Sequence, residues 1–250
     1  MDILFADLDG TIIRSARTKR AGDIVIEYKD KAEISCISPK SAGLLPKINL
    51  IPVTSRSIEQ YKRITLPYGF SPKYAVTDNG GNLLIDGEPL RSHSEWAEKI
   101  THRCAKELAR CRELLESDPD RCFEIRMVDG LFLFTKSGSP ERTEERLGAL
   151  RDCEFFRTGA KVYVIPKRLN KGDGALRLLK RFRDKSFSGR VICAGDSIMD
   201  IPLLNIADIA IFPEDLAQND IKCAVKLTSR REELCEFVVK TAAEIMGITY

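Results

Sequence analysis

Five short apolar runs in this chain each stop at a polar or glycine-containing step: Ile3 to Ala6, Ile51 to Val53, Tyr74 to Val76, Arg190 to Ala194 and Ile209 to Phe212. Runs this short and this apolar mark strands buried on both faces, as in a parallel sheet. Helical stretches fall between several of them, at about Pro39 to Lys47, Ile58 to Ile64, Gly172 to Arg183 and Asp200 to Asn205. Strands alternating with helices predict an α/β fold around a parallel sheet. Ligands in such sheets bind beyond the carboxyl ends of the strands. The polar ends of the first, second and fourth runs are therefore expected to converge on one site.

The middle of the chain has a different texture. From Glu95 to Glu116 a single long helix is expected, with Trp96, Ile100, Cys104, Leu108 and Cys111 forming one apolar stripe. Cys122 to Val128 and Leu131 to Thr135 flank Asp129-Gly130, a two-residue hairpin signal. A helix follows at about Pro140 to Leu150. A second hairpin is expected where Glu154 to Arg157 and Lys161 to Ile165 flank Thr158-Gly159-Ala160. Helix, hairpin, helix, hairpin predicts an antiparallel sheet with helices on one face. The expected organisation is a core domain of residues 1–82 and 166–250 with an inserted α+β cap domain of residues 83–165. A smaller flap insertion is expected at about residues 16–34, with strands Asp23 to Tyr28 and Ile34 to Ile37 around Lys29 to Glu33.

Composition narrows the class. Of the 250 residues 43% are hydrophobic and 31% charged, enough to bury a full core and unlike a disordered chain. The net charge of +3 is too mild to argue for nucleic acid. No apolar run reaches the length that spans a bilayer, and the first residues carry no signal-peptide pattern. The eight cysteines include no CxxC pair and only two histidines accompany them, which disfavours zinc. Several of these cysteines fall at apolar positions of periodic segments, so reduced core thiols and a cytoplasmic setting are expected.

The chemistry is concentrated in four places. Asp7-Leu8-Asp9-Gly10-Thr11 directly follows the first run. Carboxylates two apart on an extended backbone point to the same side, and held together they demand a cation or a shared proton. Phosphoryl transfer needs an anionic nucleophile, charge neutralisation at the phosphate and an acid for the leaving group. This pair can supply the first and third, and Gly10 and Thr11 suit a turn whose amides approach a phosphate. Thr54-Ser55-Arg56 ends the second run, where a hydroxyl and amides at a helix start make an anion site or simply cap the helix. Lys171 opens the helix at 172 and can balance charge on nucleophile and phosphate. Gly195-Asp196-Ser197 with Asp200 ends the fourth run, and carboxylates there suit magnesium.

The order of these four segments resembles the motifs of the haloacid dehalogenase (HAD) superfamily. The resemblance covers residues 1–82 and 166–215 by motif and the cap by element order, which looks like a type C2 cap, B subtype, of the Cof-like and sucrose-phosphatase-like branches. It implies a Rossmann-like core and a magnesium-dependent phosphatase acting on a small phosphorylated metabolite, sugar phosphates included. It further implies that Asp7 attacks phosphorus and forms an aspartyl-phosphate, while Asp9 serves as acid and then base. Thr54, Ser55, Arg56 and Lys171 would bind the phosphoryl group. Magnesium would be held by Asp7, the Asp9 carbonyl and Asp196, with Asp200 in support. Two positions depart from the Cof-like pattern: Ser55 stands where glycine is usual, and Met199 where asparagine is usual. The flap is also longer than is usual with this cap. Specificity is expected in the cap, with Glu124, Arg126, Arg157, Lys161 and Arg168 as candidates. A phosphomutase or phosphotransferase built on the same aspartates, and a binding protein that has lost catalysis, are the alternatives.

Overall fold

The computed structural model describes residues 1–248. The chain divides into two compact units, Met1–Pro89 with the chain from Lys171 onward, and Leu90–Asn170. Both transitions fall later than the sequence suggested, for a backbone reason. Asn82–Ile85 folds back antiparallel on Tyr74–Thr77, Glu88–Pro89 folds back antiparallel on Asn82–Ile85, and both stay with the first unit. Lys167 donates its N–H to the Asp152 carbonyl and stays with the second.

A five-stranded parallel sheet forms the centre of the first unit, in the order Val225–Ser229, Ile209–Pro213, Val191–Ala194, Ile3–Ala6, Leu50–Pro52. A parallel bridge from Val53 to Val76 adds Tyr74–Thr77 beside the last of these. Ile3, Leu4, Phe5 and Ala6 are all buried, as a central strand covered on both faces requires. Their alternate members Leu4 and Ala6 join Leu50, Ile192, Ala194, Ile209 and Ile211 in one apolar layer. Helix Leu234–Ile245 covers that layer with Leu234, Val238, Val239, Ala242 and Ala243, beside Ala42 and Leu44 of helix Pro39–Leu44.

Helix Lys171–Arg183 packs tightly through its first turn. A Cβ on Gly172 would lie 2.3 Å from the Pro202 carbonyl oxygen, and one on Gly174 would lie 2.6 Å from the Gly80 Cα. Only glycine permits these approaches. The edge strand Val225–Ser229 and helix Leu234–Ile245 carried no expectation from the sequence.

The flap is a three-stranded antiparallel sheet of Arg14–Ser15, Ala32–Ile37 and Ile24–Lys29. Its tip turns at Asp30 and Lys31, both at positive φ, as a tight hairpin turn requires. Ile26 and Ile37 anchor it in the main apolar layer.

In the second unit, four antiparallel strands run in the order Cys153–Thr158, Lys161–Pro166, Phe132–Lys136, Arg126–Val128. Both hairpins form where Asp129-Gly130 and Gly159 supply positive φ. The expected single helix is two, Arg91–Arg103 and Ala105–Glu116, broken where Cys104 takes φ −93° and ψ 2°. The apolar stripe runs unbroken across that joint, so periodicity could not reveal it. Cys104, Leu108, Cys111 and Leu115 pack on Leu133, Cys153, Val162 and Val164 of the sheet. The helix after Pro140 stops at Leu147 because Gly148 turns to positive φ.

No helix among the described residues is long and apolar enough to cross a membrane. All eight cysteines are free thiols, and all but Cys122 are buried.

Replacing Gly172 by alanine drives a methyl group into backbone that has no side-chain freedom to yield. Gly172→Ala is expected to destabilise the first unit by about 1–3 kcal/mol, the usual cost of overpacking. A denaturant midpoint within error of wild type would contradict this packing.

Candidate active site

Sheet register brings the four segments together. Ala6 pairs with Pro52 on one side and Ala194 on the other, so the chain leaves three adjacent strand ends at Asp7, Val53 and Gly195. The Asp7 N–H donates to the Ala194 carbonyl and the Val53 N–H to the Ala6 carbonyl, which fixes those ends side by side.

Asp7 is buried and Lys171 reaches it from the start of its helix. The Lys171 ammonium donates to Asp7 Oδ1 at 2.6 Å and to Asp200 Oδ1 at 2.5 Å. The Thr11 hydroxyl lies 3.4 Å from Asp7 Oδ2. The other oxygen of Asp200 accepts from the Asp196 and Ser197 N–H groups and the Ser197 hydroxyl at 2.8–3.1 Å. Both Asp200 oxygens are thus occupied in holding Lys171 and the 195–197 loop. Asp196 keeps one contact to a cation, from Arg231 Nη1 to Oδ2 at 3.1 Å. Gly10 sits at φ +86°, and a Cβ there would come within 2.6 Å of Asp196 Oδ2. The two acidic segments could not approach so closely with any other residue at position 10.

Carboxyl oxygens of Asp7, Asp196 and Asp200 lie within 4.8 Å of one another. Burial, then repulsion from Asp200, Asp196 and Asp9 that Lys171 only partly offsets, pushes the Asp7 carboxyl well above its ordinary range. Burial and Asp200 likewise raise Asp196 to about 6, against the pull of Lys171 and Arg231. Burial alone would lower the Lys171 ammonium, but Asp200 and Asp7 outweigh it and hold the lysine charged. Three carboxylates facing one buried lysine leave an excess of negative charge. An all-oxygen donor set under that strain fits a hard divalent cation such as magnesium. Asp7 and Asp196 have the better access to it, since Asp200 is already committed.

The second segment divides in function. Ser57, rather than Thr54 or Ser55, caps helix Ile58–Lys62, in a reciprocal arrangement with Gln60. Thr54 is fully buried, with its N–H bound to the Val76 carbonyl and its Oγ1 accepting from the Arg56 N–H at 3.2 Å. Ser55 is half-buried beside it. Arg56 turns elsewhere. Its Nε and Nη2 grip the two Asp9 oxygens at 2.6 and 2.7 Å, and Nη1 and Nη2 also reach Glu27 Oε2, the Gln60 carbonyl and Ser35 Oγ. Those five contacts use all five guanidinium N–H groups. Arg56 therefore holds Asp9 and the flap, and has no donor left for a phosphoryl oxygen in this arrangement. Asp9 itself is 53% exposed in its side chain, against 6% for Asp7, so the two carboxylates have opposite access to solvent.

Glu27, Ser35 and Arg231 were not singled out by the sequence. They lie far from the motifs in the chain and carry no local pattern that marks them. Met199 is buried and packs in the loop before Asp200. In the second unit, Glu124 pairs with Arg126, whose guanidinium lies 4.8 Å from the Phe123 ring centre. Arg157 pairs with Glu141 and Glu144 of helix Pro140–Leu147. Lys161 and Arg168 are exposed.

No family model matches the chain. No curated protein matches it either. Solved structures do match over nearly its whole length. The sucrose-phosphatase of Synechocystis sp. PCC6803, in complex with sucrose and phosphate, is 14% identical with a TM-score of 0.65, over 95% of this chain and 96% of that one. A phosphatase of the haloalkanoate (HAD) enzyme superfamily from Bacteroides thetaiotaomicron is 15% identical with a TM-score of 0.58, over 100% and 96%. A HAD subclass IIB sugar phosphatase is 16% identical with a TM-score of 0.57, over 100% of both chains. The chain shares its fold with these phosphatases, a parallel α/β core with an inserted α+β unit.

The charge balance of the site sets a pH dependence. Without metal, Asp196 titrates near 6 in the folded chain against an ordinary 3.8. The folded state then binds this proton more tightly than the unfolded one. Stability is present at low pH and lost as pH rises through about 6, by about 1–3 kcal/mol. Asp196→Asn is expected to remove that slope and to melt higher than wild type near pH 7.5 in a chelator. Magnesium should raise the melting temperature of wild type and not of the variant. An equal magnesium shift in both would exclude Asp196 as a ligand.

Proposed function

We propose that the protein is a divalent-metal-dependent phosphomonoester hydrolase that acts through Asp7 on a small phosphorylated metabolite, with sugar phosphates the first class to test. The observation that carries this reading is the buried Asp7 bridged by Lys171 to Asp200 at the end of the central strand, within reach of Asp196. The fold shared with sugar-phosphate phosphatases supports it.

Asp7 is the nucleophile in this reading, which its burial, its contacts to the Lys171 ammonium and the Thr11 hydroxyl, and its position where three strand ends meet support. Its oxygen attacks phosphorus and the bond from phosphorus to the ester oxygen breaks. The departing oxygen takes the proton carried by Asp9, which leaves Asp9 as the carboxylate that acts next as base. The resulting aspartyl-phosphate is cleaved when water, deprotonated by Asp9, attacks phosphorus and releases inorganic phosphate and the Asp7 carboxylate. Lys171, the Thr54 hydroxyl and the Ser55 N–H would supply cationic, hydroxyl and amide contacts to the phosphoryl oxygens. Magnesium, held by Asp7, Asp196 and the Asp9 carbonyl, would supply charge neutralisation at those oxygens and keep Asp7 ionised. The free thiols support a reducing, cytoplasmic setting.

Phosphate release from an aryl phosphate and from sugar phosphates tests the reading, with magnesium or a chelator. Wild type should turn over only with metal. Asp7→Asn, nearly isosteric, should lose more than about a thousandfold while staying folded. Turnover by Asp7→Asn near the wild-type rate, or folded wild type that releases no phosphate from any of these substrates, would reject the proposal.

A further inference from the structure

Glu27 is a carboxylate with no part in the phosphoryl chemistry, yet it is sealed inside the first unit at 1% exposure. A buried carboxylate is costly unless it is paired and hydrogen-bonded. Glu27 is both. Its Oε2 accepts from Arg56 Nη1 at 2.8 Å and from the Ser35 hydroxyl at 2.7 Å, and its Oε1 accepts from Arg63 Nε at 3.2 Å. The flap strand is deformed to bring it there. Register shifts on both sides of Glu27 mark a bulge in Ile24–Lys29. Regular alternation would send Ile26 and Glu27 to opposite faces, but here both are buried. Re-aiming one side chain is what a bulge does.

Arg56 links this buried charge to Asp9. Its fork meets both Asp9 oxygens through Nε and Nη2, which fixes the plane of the carboxylate rather than only its distance. The other edge of the same guanidinium rests on Glu27 and Ser35, both from the flap. An arginine held on one edge alone could rotate about its stem; held on both, it cannot.

We propose that Glu27 is a positioning residue, which through Arg56 fixes the orientation of Asp9 for proton transfer and makes the flap hairpin a working part of the site. This inference rests on the acid and base role given to Asp9 above. The flap is then a support whose buried charge acts one residue removed from the reacting atoms.

The test is steady-state kinetics with magnesium on 4-nitrophenyl phosphate and phenyl phosphate, whose leaving groups differ in their need for a proton. Wild type, Glu27→Gln, Arg56→Lys, Asp9→Asn and the double variant Glu27→Gln/Asp9→Asn are compared. Glu27→Gln is expected to lower kcat about tenfold or more on phenyl phosphate, within the ~10²–10⁴-fold range of acid–base catalysis, and clearly less on 4-nitrophenyl phosphate. KM should stay within about twofold, and in the Asp9→Asn background the same substitution should cost nothing further. Equal loss on both substrates, additive loss in the double variant, or wild-type kinetics in Glu27→Gln would overturn the proposal. Should Glu27→Gln fail to fold, Arg56→Lys replaces it in the same comparison, since lysine keeps the charge and loses the fork. Full activity of Asp9→Asn on phenyl phosphate would instead remove the acid and base role itself, an outcome separate from a silent Glu27 beside an impaired Asp9.

Discussion

The Lys171 ammonium between Asp7 and Asp200 is the contact on which the rest of the first unit depends. A buried cation shared by two buried carboxylates leaves an uncompensated charge if any one is removed, at a typical cost of 3–5 kcal/mol. Its geometry explains features that look unrelated in the sequence. Lys171 must open its helix deep in the unit, so the next turn carries Gly172 and Gly174 where Pro202 and Gly80 press against it. Asp200 must turn one oxygen to Lys171, which leaves the other to gather the N–H groups of Asp196 and Ser197. The position of Asp196 follows from that second oxygen.

Two charge systems lie side by side and are built differently. Around Asp7 the carboxylates outnumber the cations, so the carboxyls of Asp7 and Asp196 are forced up and the site favours an added positive charge. Around Asp9 the charges balance. Asp9 and Glu27 are met by Arg56 and Arg63, and Arg56 is held charged by Asp9 and Glu27 against the cost of burial. Two aspartates separated by one residue therefore have distinct environments, one dry and short of cations, the other wet and matched with them. Under the proposed function, such a division would let one carboxylate act as a nucleophile while its neighbour carries the proton.

What the sequence revealed was what local pattern can encode. Short apolar runs ending in polar steps identified the strands that carry Asp7, Thr54 and Asp196, and Asp129-Gly130 identified a hairpin by its turn chemistry. The break at Cys104 was invisible because it preserves the stripe from Ile100 to Cys111. Val225–Ser229 escaped notice because an edge strand is only partly covered and lacks a clean apolar run. The partners of Arg56 were not legible from its neighbours in the chain. Its partners Glu27 and Ser35 come from the flap, and a strand bulge decides which way Glu27 faces. Spacing could place Arg56 at the site but not choose between a phosphate and a carboxylate for its fork.

The placement of the central strand has a consequence for how the chain assembles. Ile3–Ala6 is made well before its partner strand Val191–Ala194, and Asp7 meets its lysine across 164 residues. Closing so long a loop costs entropy before any contact repays it. Residues 90–170, by contrast, are contiguous and draw on near neighbours for both hairpins. During synthesis the inserted unit can complete its sheet while the strand bearing Asp7 still lacks a neighbour on one side. The core then closes around a carboxylate that has waited, unneutralised and in water, for its lysine to emerge.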